Sequence, residues 1–333
     1  MKAIIPVAGK GTRLRPHTLT TPKPLLKVGG RPVMSYILDD LRDLGVEEIV
    51  FVVGYLRDAV QRYIEEEYGE FTAHFVVQEI QDGTAGAVQL AEPFIDEEVL
   101  IVFGDTLFDA DLSLAKRLSD DWAGVIWAKE VEDYQRFGVI LTDDAGAMTR
   151  IIEKPTEPVS KLANIGLYHI RDWRLLFEGI RHVLGSNPGP AGEYFLTDAF
   201  QYMVDCGARI RTAPVGGWYD CGKTETLLDT NRHLLETSRS GIAPSASLTG
   251  SEVDGAVRVE DAARIFASRL GPNVTVERGA VVENTSLRDC IVGEGAVLKG
   301  CNLHDSIVGH SSSVENVSGV VSVSAYTELV GEG

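Results

Sequence analysis

Residues 2–16 read K-A-I-I-P-V-A-G-K-G-T-R-L-R-P, and the rest of the chain has to accommodate them. The apolar run 2–8, closed by glycine, has the pattern of a buried strand. It passes without a spacer into Gly9-Lys10-Gly11, then to Pro22-Lys23-Pro24-Leu25-Leu26, Gly29-Gly30 and a helical stretch. Glycines let backbone N–H groups approach an anion closely, and cations beside them hold its charge. Lys10, Arg13, Arg15, Lys23 and Lys27 put five cations into eighteen residues of a chain whose net charge is −18. A tight turn beside a solvated basic patch would look similar. So dense a cluster in so acidic a chain favours a phosphate site. The stretch is not a Walker loop, which needs G-x-x-x-x-G-K-[ST], nor a dinucleotide fingerprint, whose third glycine is missing.

Beyond this segment, strand and helix patterns alternate. Positions 31–44 place Val33, Ile37, Leu38, Leu41 and Leu44 on one helical face, with Pro32 in the first turn and Gly45 as the stop. Strands are expected at 48–53, 73–78 and 99–103, and helices at 56–68 and from 83. The class is therefore α/β: a Rossmann-like, mainly parallel sheet with helices on both faces. Ligands of such sheets bind beyond the carboxyl ends of the strands.

The candidate residues fall at such ends. Asp105 follows the strand 99–103 and one glycine, and Asp220 sits in G-W-Y-D-C-G. Two strand-end aspartates can share one Mg²⁺, which takes its remaining ligands from water and phosphates. Asp105 could instead cap a helix near Asp111. Glu153 and Lys154 end a strand at Pro155, where a surface ion pair is the commonest fate. Gly138 and Gly166 interrupt strand patterns, marking a bulge or a close approach to the backbone. Gly192-Glu193 leads into a helix with Thr197 and Asp198 near its start.

In this order, over about residues 1–238, the pieces resemble the signature of the sugar-1-phosphate nucleotidylyltransferases, and of glucose-1-phosphate thymidylyltransferases in particular. The resemblance rests on G-x-G-T-R-L at 9–14, Lys23 in P-K-P-L-L, and Gln78 five residues before Gly83. It rests further on Gly104-Asp105, Glu153-Lys154-Pro155, Asn164-Ile165-Gly166-Leu167-Tyr168, Gly192-Glu193 and Trp218 to Gly222. It implies that a sugar-1-phosphate oxygen attacks the α-phosphorus of a nucleoside triphosphate in line and displaces pyrophosphate. Such chemistry asks for positioning and charge neutralisation rather than a covalent nucleophile. By the same resemblance Arg13 and Lys23 stabilise the triphosphate, and the backbone of Ala8, Gly9, Gly11 and Thr12 wraps the nucleotide. Gln78 and Gly83 meet the base, and Asp105 and Asp220 hold Mg²⁺. Lys154 contacts the sugar phosphate, and Glu153, Gly138, Asn164, Gly166 and Glu193 line the sugar pocket. An amide at Gln78 offers a donor and an acceptor to a pyrimidine edge. The expected substrates are dTTP, or UTP, with glucose-1-phosphate. The alternatives are a mannose-1-phosphate guanylyltransferase and a non-catalytic subunit that binds nucleotide sugars. The latter commonly loses one of the charges that Arg13, Lys23, Asp105, Lys154 and Asp220 retain here.

Composition bounds the partners. Acidic residues outnumber basic ones 49 to 31, which disfavours nucleic acid and anionic membranes. No apolar run reaches spanning length and the start lacks a signal pattern, so a cytoplasmic protein is expected. Cys206, Cys221, Cys290 and Cys301 form no C-x-x-C, arguing against a zinc site or a disulfide framework.

The C-terminal region changes character. A catalytic domain is expected at 1–238, a Ser-, Gly- and Ala-rich linker at 239–251, and a second domain at 252–333. In the last, residues 276–291 align without gaps on 292–307. Aliphatic residues recur at Val276, Val292 and Val308, at Val282, Leu298 and Val314, and at Leu287 and Leu303. Such spacing stacks like residues into ladders, one coil per repeat. It resembles the left-handed β-helix of hexapeptide-repeat proteins, with about four or five coils after the linker. His304 and His310 belong to no recognisable acyltransferase motif and are expected in turns. A structural role is expected, with a homo-oligomer covering the exposed end coil.

Overall fold

The computed structural model describes residues 1–189 and 192–331. Its first sheet is built from β1 (Lys2–Pro6), β2 (Glu48–Val53), β3 (Thr72–Val77), β4 (Val99–Val102), β5 (Gly124–Glu130), β6 (Gly138–Thr142), β7 (Met148–Glu153), β8 (Leu162–Ile170) and β9 (Ile210–Pro214). The order is β7-β6-β8-β4-β1-β2-β3, with β5 also on β8 and β9 on β5. Strands β4, β1, β2 and β3 pair in parallel, as the alternating pattern predicts. The sheet is mixed because β8 runs antiparallel to β4, β5 and β6.

Strand alternation decides which residues face which core. Ile4, Val50, Val52, Val99 and Ile101 pack with helices α3 (Thr84–Gln89), α4 (Trp173–Leu184) and α5 (Leu196–Asp205). Their neighbours Ala3, Ile5, Ile49, Phe51 and Leu100 are equally buried, so both faces of these strands are covered. The helices α1 (Val33–Leu44) and α2 (Arg57–Glu67) lie between β1 and β3 in the chain. Pro32 belongs to a short strand rather than to the first turn of α1.

The chain divides into two compact units, Met1–Gly9 with Tyr36–Trp218, and Lys10–Ser35 with Tyr219–Gly333. The second contains α6 (Thr224–Leu234) and a stack of short parallel strands on three faces, a β-helix. The ladders are those read from the repeat: Val276 pairs with Val292, Val282 with Leu298, Leu298 with Val314, and Leu287 with Leu303. All seven of these side chains are buried. Fully burying a Val or Leu stabilises a fold by about 1.5–3 kcal/mol, and the interior of this stack is built from such residues.

Two readings of this region change. The stretch expected as a linker carries Gly241–Ile242 and Ser247–Thr249, which pair with 258–259 and 264–266 as the first coil. Coil turns are themselves rich in small residues, so composition does not separate them from a linker. One face therefore has six strands, of which five follow residue 251, in keeping with the four or five coils expected there. The offset between stacked partners falls along the stack. It is seventeen residues at Ser247–Arg264 and Arg264–Val281, sixteen at Val281–Val297 and Val297–Ser313, and fifteen at Ser313–Glu328. Corners are turned by left-handed residues such as Asn284, Gly300 and Asn316, where glycine and asparagine suffer least. His304 lies within a strand and pairs with Asp305 at 2.9 Å, whereas His310 follows a strand and packs edge-on against Tyr326.

Candidate active site

In the first unit the expected sugar-pocket residues come together. Gly138 and Glu153 are register partners across β6 and β7. Asn164 on β8 is buried and donates from Nδ2 to the Gly138 carbonyl at 2.8 Å. The Tyr168 hydroxyl donates to Asn164 Oδ1, and Thr197, at the start of α5, donates to Glu153 Oε2 at 3.1 Å. A Cβ on Gly138 would lie 2.4 Å from Asn164 Nδ2 and 2.8 Å from Glu153 Oε2. The glycine is thus what lets these polar groups crowd one backbone position. Burial pushes the Glu153 carboxyl up, and the Lys154 charge opposes it. Burial likewise pushes the Tyr168 phenol up, which keeps it a donor.

Lys154 stands at the rim with a left-handed backbone, φ 44°. Its amide donates to Phe137 O at 3.0 Å, and its ammonium lies 3.9 Å from Glu153 and 4.0 Å from Glu193. It also sits 4.8 Å over the Phe195 ring. The ammonium is half-exposed, whereas Glu153 keeps only 17% of its side chain exposed, so the pair is buried on the carboxylate side alone. Gly166, φ 79°, sits where the β8–β5 register shifts, and a Cβ there would lie 2.8 Å from the Phe103 ring. The strand glycine does mark a bulge.

Gln78 is buried beyond β3. Its Nε2 donates to Asp82 Oδ1 at 3.0 Å and to Gly83 O at 3.2 Å. Both partners are acceptors, so they fix the amide's orientation. The donor half is engaged within the protein, whereas the sequence expectation has the amide offering both a donor and an acceptor. Gly83, φ 112°, lets Tyr194 pack on the turn: a Cβ would meet Tyr194 O at 2.4 Å. Tyr194 N in turn donates to Asp82 O, and Ala85 N to Tyr194 O. Tyr194, Thr197 and Tyr168 join these polar contacts without having been named as candidates, although Tyr168 closes a quoted motif and Tyr194 and Thr197 follow Gly192-Glu193. Ala8 and Gly9 follow β1, and Gly54 packs against Ala8 closely enough to exclude a side chain. Asp105 lies between β4 and the strand Thr106–Asp109, and Asp111 rather than Asp105 caps the next turn, accepting from Ser113 N at 3.1 Å.

In the second unit, Thr12, Arg13 and Leu14 form a 3₁₀ turn after left-handed Gly11. A Cβ on Gly11 would lie 2.9 Å from Thr18 Cγ2 and 3.2 Å from Lys23 Cβ, so Gly11 and Lys23 are packed together. Asp220 and Arg13 flank Gly222, whose Cβ would lie 2.6 Å from Asp220 Oδ1 and 3.1 Å from Arg13 Nη2. Lys10, Arg13 and Arg15 are exposed and Lys23 is half-buried. Lys27 departs from the cationic set: its ammonium pairs with Glu277 at 3.1 Å and Glu294 at 3.6 Å.

Comparisons with known proteins agree with this arrangement. The nucleotidyl transferase family model matches residues 2–237. A UTP–glucose-1-phosphate uridylyltransferase of Haloferax volcanii is 35% identical over 71% of this chain and 97% of its own. A glucose-1-phosphate thymidylyltransferase of Streptomyces griseus is 31% identical over 88% and 84%. A solved UDP-glucose pyrophosphorylase complexed with UDP-glucose has the same fold, with a TM-score of 0.62 and 24% identity over 70% of this chain and 97% of its own. With G-K-G-T-R-L on its left-handed turn and the polar cluster around Gly138 in place, the chain belongs to the nucleotidyl transferase family.

Proposed function

We propose that this chain is a cytoplasmic enzyme that transfers a nucleoside monophosphate from a pyrimidine nucleoside triphosphate, dTTP or UTP, to glucose-1-phosphate, releasing pyrophosphate. The observation that carries the sugar half is the buried polar cluster of Asn164, Glu153, Thr197 and Tyr168 around Gly138. A carboxylate, an amide and hydroxyls converging on one backbone position are what a polyhydroxylated ring needs. Lys154 at its rim supplies the cation for the sugar phosphate. Gln78 Oε1 accepts a base N–H, which thymine and uracil offer at N3 and guanine offers at N1. Cytosine and adenine present acceptors there. The relatives named for UTP and dTTP favour the pyrimidines over guanine.

Arg13 and Lys23 neutralise triphosphate charge as it shifts to the leaving pyrophosphate. The oxygens of Asp105 and Asp220 are hard donors suited to Mg²⁺. When bound, the ion neutralises phosphate charge. No cysteine or serine nucleophile is required, since the reaction is a direct displacement.

Exposed Val320, Tyr326 and Val330 on the last coils support a homo-oligomer. Among the described residues no helix is long and apolar enough to cross a membrane. The test is pyrophosphate release from dTTP, UTP, GTP, ATP and CTP, each paired with glucose- and mannose-1-phosphate. Release with dTTP or UTP and glucose-1-phosphate is expected. Preference for GTP with mannose-1-phosphate would overturn the substrates, and nucleotide-sugar binding without any release would overturn the enzyme. Mass in solution tests the oligomer.

A further inference from the structure

Residues 10–35 carry Gly11, Thr12, Arg13 and Lys23, and they belong by contact to the same unit as the β-helix. Three attachments hold them there. Lys27 donates to Glu277 Oε2 at 3.1 Å, and Glu277 is a coil residue only 5% exposed. Gly29 N donates at 2.9 Å to Asn231 Oδ1, and the same oxygen accepts from coil residue Thr275 Oγ1 at 2.8 Å. His17, also buried, lies 2.9 Å through Nε2 from Ser322 Oγ near the last coil. The attachments reach the loop through short paths: Leu26 N donates to Lys23 O, and Val33 N to Leu26 O. Lys27 is thus one 3₁₀ turn from Lys23, which packs on Gly11.

We propose that the β-helix sets the conformation of the triphosphate-binding segment, with Glu277 as a positioning residue that acts through Lys27 on Lys23 and Arg13. It therefore does more than assemble subunits: it is a working part of the nucleotide site. This rests on the nucleotide roles proposed above for Arg13 and Lys23. Glu277 is a suitable anchor because a buried carboxylate with one cationic partner has few alternative arrangements. Besides Lys27 it accepts from Glu294 N at 3.1 Å, within the coil stack.

The test uses full-length protein carrying Glu277→Gln, with Glu277→Asp as the conservative variant. Ser322→Ala is a milder second lesion on the His17 attachment. Hydrogen exchange is read at Leu14, Leu26 and Val33, whose amides are bonded within the segment. Glu277→Gln should speed their exchange at least tenfold while β1 and β4 amides stay unchanged, and Glu277→Asp should restore most of the protection. Ser322→Ala should raise exchange at Thr20 and Thr21. In steady state, Glu277→Gln should raise KM for the nucleoside triphosphate at least fivefold and leave KM for the sugar-1-phosphate within twofold. Unchanged protection in 10–35 in both lesions, or equal rises in both KM values, would overturn the proposal. If wild type turns over no substrate pair, the functional reading fails, and the exchange measurement still decides whether the β-helix holds the segment.

Discussion

Lys27 and Glu277 meet at 3.1 Å although 250 positions separate them in the chain. Removing one partner of a buried ion pair leaves a charge with no compensation, typically at a cost of about 3 kcal/mol. Lys27→Met should therefore lower stability by about that amount in urea unfolding at pH 7. Burial already pushes the Glu277 carboxyl up, so the stranded group can neutralise in mild acid. The loss should shrink as pH falls through the carboxylate range, and a pH-independent loss would show that the charge is not its cause.

Gly138→Ala tests the polar cluster. The added methyl would sit 2.4 Å from Asn164 Nδ2 and 2.8 Å from Glu153 Oε2, so both groups must move. KM for the sugar-1-phosphate should rise at least tenfold, about 1.4 kcal/mol, with KM for the nucleotide little changed. Equal changes in both would place Gly138 outside the sugar pocket.

Asp105→Asn and Asp220→Asn each remove one carboxylate charge while preserving side-chain shape. Turnover with Mg²⁺ should fall far more than tenfold in each, with melting temperature within a few degrees of wild type. A loss below tenfold, about 1.4 kcal/mol of barrier, would reject the metal assignment.

His17 gives a pH signature. Burial lowers its pKa from 6.5 to about 4. The folded chain therefore keeps it neutral where the unfolded chain binds a proton. The contribution is fully present above pH 6.5 and is lost as pH falls toward 4, to a limit of roughly 3 kcal/mol. His17→Gln should flatten the fall in unfolding free energy across that window, and an unchanged slope would mean that His17 titrates normally.

What was legible in the sequence follows from how local its cause is. Val276, Val292 and Val308 were readable as a ladder because equal spacing in sequence becomes stacking in space. The first coils were not, because strands of two or three residues leave little pattern and their offset is seventeen rather than sixteen. Asp105 and Glu153 were singled out at strand ends and Asn164 through the family resemblance, whereas the bond from Thr197 to Glu153 joins residues 44 apart and leaves no local mark. Lys27 misled for the same reason. Five nearby cations look alike in sequence, and only the fold shows that one of them is turned to Glu277.

The falling coil length has its own consequence. Both residues are lost at the same corner: the step from Leu270 to Val274 becomes Leu287 to Cys290, and the step from Leu303 to Ile307 becomes Gly319 to Ser322. The three-residue strands of the longest ladder stay in full register from coil to coil, so only this corner tightens. Copies of this chain that met end to end would fall out of step there. The corner thus disfavours filaments and favours closed, symmetric contacts for covering the exposed coils.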